Sequence, residues 1–204
     1  MHKLVTLAAI IFCISVISVA QEETTPRATI FGGYSYLRNG GSNNFNGWEG
    51  QGTFNFTRHF GITADINGNY RTLASFSLLP GVSVTANQSI YNFLFGPAVT
   101  TSFGRTSVFG HALFGQALSN LGGGISLPII GGISSGVTSA TAFAMAFGGG
   151  VDIGLSRHFA IRAAQLDYVR TNFSSADALS TGLFSNTNGR QNSFRYSAGI
   201  VFRF

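Results

Sequence analysis

Charge is scarce in this sequence. Only 9% of its residues are Asp, Glu, Lys or Arg, against about 25% in ordinary soluble domains. A water-soluble protein with so little charge tends to associate, so the composition disfavours a soluble globular domain. Lys3 is the only lysine, and the arginines stand singly along the chain. Because a nucleic-acid surface needs grouped basic residues, the basic balance does not indicate a nucleic-acid partner.

Cysteine is also lacking. Cys13 is the only one, and it lies in an apolar run over 4–19 that follows a short basic start. Small residues precede a cut after Ala20, and this pattern predicts a cleaved signal peptide over residues 1–20. The mature chain would then have no cysteine and no disulfide. The alternative is that the run is retained as an N-terminal membrane helix.

Long uninterrupted apolar runs are absent after residue 20. A membrane helix needs roughly 20 consecutive apolar residues. The nearest candidate, residues 121–151, carries no charge, but Pro128 and nine glycines interrupt it. Glycine and proline both disfavour a helix interior, so a helical span is not expected. Low charge, 27 glycines and 20 phenylalanines instead favour a membrane protein built from strands.

Alternation of apolar and polar residues is the dominant pattern. A period of two places one set on each face of a β-strand. It is clearest over 48–57, where Trp48, Phe54 and Phe56 alternate with polar residues. The pattern predicts eight strands, over residues 28–37, 48–57, 60–71, 88–103, 106–118, 142–155, 159–172 and 193–204.

The connections between these segments alternate in length. Three are short, over residues 57–59, 104–105 and 156–158, and four are long, over residues 39–47, 72–87, 119–141 and 173–189. Tight turns at one rim and long loops at the other are typical of an up-and-down barrel. We therefore predict an all-β fold, an eight-stranded antiparallel transmembrane β-barrel over residues 28–204, after a short N-terminal segment over 21–27.

The short turns predict the register. Outward residues face each other across all three turns, and a slip of one residue would break every match. These matches are Phe56 with Phe60, Phe103 with Thr106, and Leu155 with Phe159. The seventh strand changes phase, which predicts a bulge near Ala163 and Ala164. Residues 56–62 and 155–161 resemble each other, which indicates either two related four-strand halves or a shared turn chemistry.

This register sends nearly all strand charge to the inner face, with Asp152 opposite Arg162. Buried charges must be paired and hydrogen-bonded, and an eight-stranded barrel has just enough room for its own side chains. We therefore predict a polar network that fills the lumen. Its predicted members are Glu49, Asp65, Arg71, His111, Asp152, Arg162, Asp167 and Arg195. The acid that Arg195 meets is left open among Glu49, Asp65 and Asp167.

Several segments resemble the OmpA-type family of small outer-membrane β-barrels. They include FGGYSYLR (31–38), YNFLFGPAV (91–99), FGGGVDIGLSRHFAIR (147–162) and FRYSAGIVFRF (194–204). The resemblance implies the outer membrane of a Gram-negative-type bacterium, contact with its lipid and lipopolysaccharide, and insertion by the barrel-assembly machinery. It implies an assembly signal on the last strand, made by Tyr196, Ala198, Ile200, Phe202 and Phe204. Because the sequence ends at Phe204, the peptidoglycan-binding domain of the larger family members is not expected.

The resemblance leaves the activity open. One interpretation is a structural or surface-interaction protein that meets an external ligand through four long extracellular loops. The apolar third loop, around Leu127 and Pro128, is either that contact surface or a lid packed on the barrel mouth. The alternatives are a narrow porin-like channel and a lipid-modifying hydrolase using Ser156 and His158, although both lie at the inner rim. No cofactor, metal or enzymatic activity is expected.

Overall fold

Eight antiparallel strands make up the computed structural model, which describes residues 25–39, 44–79, 82–127, 131–172 and 190–204. The strands are β1 (Ala28–Asn39), β2 (Asn44–Asn55), β3 (Phe60–Leu79), β4 (Val82–Phe103), β5 (Thr106–Leu127), β6 (Gly131–Gly154), β7 (Phe159–Asn172) and β8 (Arg190–Arg203). The predicted signal peptide and the fourth long loop lie outside the described residues. In the described ranges no helix is long and apolar enough to cross a membrane, a finding that concerns helices only.

The sheet closes on itself. Each strand pairs with the next in sequence, and β8 returns to pair with β1. The closing seam runs from Thr29 opposite Arg203 to Asn39 opposite Ser193. Closure leaves no strand with unpaired edge groups. The predicted fold class, an eight-stranded up-and-down barrel, is confirmed.

The three short turns have the predicted register. The N–H of Phe56 donates to the carbonyl of Phe60 at 3.1 Å, and that of Leu155 donates to Phe159 at 2.9 Å. Phe103 faces Thr106 across a two-residue turn. Gly104 has a φ of 60°, and glycine adopts this conformation without steric cost. We call the end of the barrel that carries these turns the short-turn rim.

A bulge interrupts β7 where the sequence pattern changes phase. The pairing of β7 with β8 shifts between Arg162 and Gln165, and its pairing with β6 shifts between Val151 and Asp152. The extra residue lets both Arg162 and Gln165 point inward, although they are three positions apart and would face opposite sides of a regular strand. The predicted bulge is therefore confirmed, and it turns Gln165, Asp167, Val169 and Thr171 to the inner face.

The prediction of long loops over 72–87 and 119–141 is wrong, and the predicted loop over 39–47 is too long, because β2 begins at Asn44. β3 continues to Leu79 and β4 begins at Val82, while β5 continues to Leu127 and β6 begins at Gly131. These segments pair as extended hairpins, because ladder hydrogen bonds join backbone groups and form even where the side chains are small or polar. Gly, Ser and Asn indicate a loop only when no partner strand is in register. We call this end of the barrel the long-hairpin rim.

The outer face of the barrel is apolar around its circumference. Phe54 is 59% exposed and Phe95 is 66% exposed. Trp48 donates to the hydroxyl of Tyr70 at 3.2 Å on the same face, and Tyr70 packs edge-on against Tyr91. Among the described side chains, outward charges occur only near strand ends and in turns.

The inner face is layered. A small apolar cluster of Phe31, Ala160 and Val201 lies towards the short-turn rim. Polar and charged residues follow, and a larger apolar cluster lies towards the long-hairpin rim, with Leu37 opposite Phe45 on β1 and β2. Its remaining members are Ile90, Leu94, Leu113, Ala117, Ala140, Ala142, Ala144, Ala146 and Val169. The charged groups around Arg195 thus lie between two apolar clusters, while other buried polar side chains, such as Asn55 and Gln191, lie nearer the rims.

Candidate functional site in the barrel lumen

Every acidic residue whose side chain the structure describes lies in the lumen. These are Glu49, Asp65, Asp152 and Asp167, each at most 5% exposed. They are carried inward by β2, β3, β6 and β7, because the alternation of each strand gives their positions to the inner face. We call these acids and the side chains bonded to them the polar core.

Arg195, on β8, is the centre of the first half of the polar core. It is 1% exposed, and its Nη1 and Nη2 atoms donate to the two carboxylate oxygens of Asp65 at 3.1 and 2.8 Å. Its Nε and Nη2 atoms donate to Asp167 at 3.0 and 2.7 Å, and Glu49 lies 3.4 Å away. All three acids left open by the sequence therefore meet this one guanidinium.

Arg162, on β7, is the centre of the second half. Asp152 accepts two bonds from it, at 2.8 Å from Nε and 3.2 Å from Nη2, which is the pairing that the register predicts. Its Nη1 atom donates to the amide oxygens of Gln51 and Gln165, both at 2.6 Å.

The rings of Phe31 and Phe109 cover the two sides of the Arg162 guanidinium, with their centroids 4.2 and 4.1 Å from its carbon. A guanidinium is weakly hydrated and stacks well on aromatic faces, so this position suits arginine better than lysine. The two rings therefore enclose the guanidinium, while Asp152 borders a small cavity near the short-turn rim.

Gln165 joins the two halves. Its amide oxygen accepts from Arg162, while its amide nitrogen donates to Glu49 at 2.8 Å and to Asp167 at 2.7 Å. The second carboxylate oxygen of Glu49 accepts a short bond from the hydroxyl of Ser197. Because an amide offers both a donor and an acceptor, Gln165 satisfies an arginine and two acids at once.

Amide side chains extend the network along β3 and β4. Asn67 donates to Asp65 at 2.7 Å and accepts from Asn92 at 2.7 Å and from Asn69 at 3.0 Å. The hydroxyl of Ser35 donates to Asn69 at 3.1 Å. This ladder holds Asp65 in place opposite Arg195.

His111, on β5, contacts the same cluster. Its Nε2 atom lies 2.8 Å from Oδ1 of Asp167. Asp167 itself lies over Gly148, where a Cβ would overlap both its carboxylate and the backbone of β7. A glycine is therefore required at 148 for the acid to reach His111 and Arg195 together.

Of the eight residues predicted for the network, Arg71 is the exception. Arg71 is half-buried at the level of Gln88, and its guanidinium lies 5.9 Å from the ring of Phe45. Within the described residues it forms no ion pair with an acid. Asn69 and the larger apolar cluster stand between it and Asp65, so its inward phase alone did not bring it to the polar core.

The sequence prediction missed the uncharged members of the polar core. Gln51, Gln165, Asn67 and Asn92 are each at most 4% exposed, and each is hydrogen-bonded to a charged member of the polar core or to another amide of it. Inward phase and polarity together mark these positions in the sequence, but the prediction selected only acids, arginines and His111. The role of the two phenylalanines beside Arg162 depended on contacts across the lumen that no strand pattern contains.

The polar core leaves little space. A cavity of about 20 Å³ lies between Asp152, Arg162 and Arg203 near the short-turn rim, and another of about 10 Å³ lies beside Ile90 and Val169. Such volumes hold about one water molecule each. Nowhere in the described ranges do three or more His, Cys, Asp or Glu side chains group as metal ligands.

The alternation of apolar and polar residues at the end of the chain predicts which residues of β8 face outward, and the structure places them on the outer face. Tyr196, Ile200, Phe202 and Phe204 are 39 to 66% exposed, and Ala198 is partly exposed. The rings of Phe202 and Phe159 lie 4.8 Å apart on the outer face. The five residues form one apolar stripe beside the seam between β8 and β1.

Comparison with solved structures identifies similar barrels. The chain is similar to Ail, the attachment invasion locus protein of Yersinia pestis, in complex with the heparin analogue sucrose octasulfate (TM-score 0.57, 17% identity, 87% of this chain and 97% of that chain). It is also similar to Neisserial surface protein A (TM-score 0.50, 10% identity, 90% of this chain and 100% of that chain). The fold is thus that of small outer-membrane β-barrels. No family model and no curated protein matches the chain.

Proposed function

We propose that this chain is an integral outer-membrane β-barrel that interacts with external ligands at its long-hairpin rim and does not conduct. The observation that carries the membrane assignment is the outer face, which is apolar around the barrel and, among the described side chains, free of charge between the strand ends. An outward arginine near the middle of a bilayer costs about 2–4 kcal/mol. A continuous apolar belt of this kind needs lipid around it.

The same belt supports contact with outer-membrane lipid and lipopolysaccharide. Tyr34, Trp48, Tyr70 and Tyr91 lie on the outer face, and such residues are enriched where a bilayer meets water. The apolar stripe on β8 supports the assembly-signal hypothesis. Deleting Phe204 is expected to lower the outer-membrane yield, and a normal yield would remove that hypothesis.

The closed lumen supports a non-conducting protein. Arg195, on β8, reaches Asp65 on β3, and Arg162, on β7, reaches Gln51 on β2, so both side chains cross the lumen. Apolar clusters lie towards both rims from the Arg195 group. An ion crossing this interior would have to displace paired charges that are already desolvated. We interpret the polar core as a structural filling that holds opposite walls of the barrel together.

An external anionic ligand is supported by charge at the long-hairpin rim. Arg38, Arg71 and Arg170 lie near that rim, and none forms an ion pair within the described residues. The similar barrel Ail is described in complex with a heparin analogue. A sulfated oligosaccharide is therefore a suitable first probe. The side chains around Leu127, on which the apolar-loop hypothesis depends, lie outside those described.

The decisive experiment is to refold the purified chain into lipid vesicles and planar bilayers. Insertion is expected to give a heat-modifiable band on a semi-native gel and no discrete conductance. Reproducible channel openings would overturn the closed-lumen proposal in favour of the porin-like alternative. Failure to insert into any bilayer would overturn the membrane assignment itself.

The proposal gives the chain no catalytic role. The hydrolase alternative rested on Ser156 and His158, and Ser156 serves a structural purpose, because its hydroxyl accepts the backbone N–H of Phe159 at 3.2 Å. Thr57 accepts from Phe60 at 2.9 Å in the equivalent turn. An assay of lipid A from expressing cells tests this, and a deacylated product would contradict the proposal.

A further inference from the structure

Basic residues collect at the short-turn rim, and none of them forms an ion pair with an acid among the described residues. Arg58, Arg105 and Arg157 occupy the three short turns, and Arg203 ends β8 at the same rim. The acids with described side chains are all in the polar core, where Arg162, Arg195 and neutral donors bond to them. The rim therefore carries positive charge that the described part of the protein does not neutralise.

Three of these arginines border one groove. Arg105, Arg157 and Arg203 line an opening of about 430 Å³ between the second and third short turns, together with Gly154, Leu155 and Ser156. A groove of a few hundred Å³ is large enough for a small ligand. Arg105 and Arg157 are exposed, whereas Arg203 is half-buried on the inward phase of β8.

Arg203 is held at the groove by its surroundings. Its Nη2 atom lies 3.4 Å from the hydroxyl of Ser107, a long hydrogen bond, and within the described residues it has no carboxylate partner. Gly154 makes room for it, because a Cβ there would lie 2.9 Å from Nη1 of Arg203. The N–H of Gly154 donates to the carbonyl of Arg105 at 2.6 Å, which ties the two turns together at this point.

Three like charges around one groove repel one another, and an anion between them offsets that repulsion. Guanidinium groups present paired donors that match the oxygens of a phosphate group. We propose that this groove binds a phosphate group, through Arg105, Arg157 and Arg203. Its source is either the headgroup of a phospholipid in the leaflet at this rim or a soluble phosphate ester.

The first short turn supplies a matched control. Thr57, Arg58 and His59 repeat the third turn nearly residue for residue, with the same backbone bonds. Arg58 contributes the same charge at the same rim but does not line the groove. A general electrostatic attraction would depend equally on Arg58 and Arg157, whereas a site would depend on Arg157 alone.

The first experiment titrates the folded barrel in zwitterionic detergent with inorganic phosphate, at constant ionic strength set with chloride. Amide shifts of Gly104, Arg105 and residues 154–157 are followed by NMR. We expect the shifts to saturate as phosphate is added. Arg157→Gln and Arg203→Gln are each expected to raise the dissociation constant of phosphate by about tenfold. Arg58→Gln is expected to change the dissociation constant by less than about twofold. Equal shifts with chloride, or equal weakening by Arg58→Gln, would overturn the site.

Gly154→Ala tests the geometry without changing the charge. The added methyl group would displace the flexible end of Arg203, so phosphate binding is expected to weaken while the variant stays heat-modifiable. Unchanged phosphate binding in a folded Gly154→Ala variant would remove Arg203 from the site.

A second arm separates the sources, by comparing short-chain phosphatidylglycerol, the phosphatidylcholine of equal chain length and glycerol 3-phosphate. Tighter binding of phosphatidylglycerol than of glycerol 3-phosphate identifies a lipid headgroup, and equal binding identifies a soluble ester. If neither phosphatidylglycerol nor glycerol 3-phosphate binds, the proposed site is overturned. The phosphate titration needs no bilayer, so it is independent of the membrane assignment, whose failure would appear as failed insertion into vesicles.

Discussion

The two buried arginines of the lumen are held in different ways. Arg195 meets the carboxyl groups of Asp65, Asp167 and Glu49, so three acids share one cation. Arg162 meets only Asp152 as a charged partner, and two glutamine oxygens and two phenylalanine rings complete its surroundings. The first region is an excess of acids around one cation, and the second is a balanced pair in a shell of neutral groups.

This difference predicts which groups are replaceable. In the Arg195 region the cation is indispensable, because its removal leaves several desolvated acids facing one another, while any single acid is partly redundant. In the Arg162 region both members matter, because each is the sole charged partner of the other. Breaking a buried pair costs more than the pair itself contributes, since one charge stays buried and unpaired.

The largest effect is expected for Arg195→Met. The substitution keeps much of the side-chain volume but leaves Asp65 and Asp167 without their cation, and the free energy of unfolding should fall by about 4–5 kcal/mol. Urea unfolding in lipid vesicles measures it, followed by the fluorescence of Trp48, the only tryptophan. A smaller loss than that of Arg162→Met would contradict the comparison.

Arg162→Met is expected to have the second largest effect. It leaves one acid, Asp152, without a charged partner near the short-turn rim, where nearby water lowers the cost, so the loss should be about 3 kcal/mol. Arg58→Met, in an exposed turn, is the control and should change stability by less than about 0.5 kcal/mol. Unchanged heat-modifiability of Arg162→Met would count against the pairing.

Asp152→Asn tests the balanced pair from its other side. The amide retains one acceptor but leaves the Arg162 charge uncompensated in the lumen, so a loss of about 2 kcal/mol is expected in the same urea titration. A double-mutant cycle with Arg162→Met should give a coupling energy of the same order. Additive losses from the two substitutions would show that the pair does not act as a unit.

Glu49→Gln is the matched change in the other region, and it should have the smallest effect of the four lumen substitutions. The substitution removes one of the three carboxyl groups around Arg195 and keeps an oxygen that can accept from Gln165 or Ser197, so the unfolding free energy should change by less than about 1 kcal/mol. A loss as large as that of Asp152→Asn would show that all three acids around Arg195 are required.

Much of the barrel was predictable because strand pairing is local. The short turns bring Phe56 to Phe60 and Leu155 to Phe159. The second of these contacts sets the register in which Asp152 pairs with Arg162 on the adjacent strand. The hairpin extensions beyond residues 72 and 119 were missed, because Gly, Ser and Asn suit a loop as well as a ladder. Only the presence of a partner strand decides between the two.

The sequence predicts that the side chains of the polar core point inward, but it does not predict which of them bond to each other. The alternation of β2, β3 and β8 is enough to send Glu49, Asp65 and Arg195 inward. A register shift of one residue would turn these side chains to the outer face. Which of these side chains meet depends on the tilt of the strands and on barrel closure, which place residues of distant strands at the same height. For that reason Arg71 lies apart from the polar core although its phase directs it inward. Gln165 lies at the centre of the polar core because the bulge in β7 turns it inward.

The low charge and the alternating strands by themselves determined that this chain forms a barrel with an apolar exterior and a polar interior. The closed tertiary structure decided that Arg195 gathers three acids and that Arg162 lies between two rings. It also decided that Arg203 joins Arg105 and Arg157 at one groove. The physical reason is that alternation acts within a strand, whereas contacts across a lumen or around a rim exist only once β8 has paired with β1.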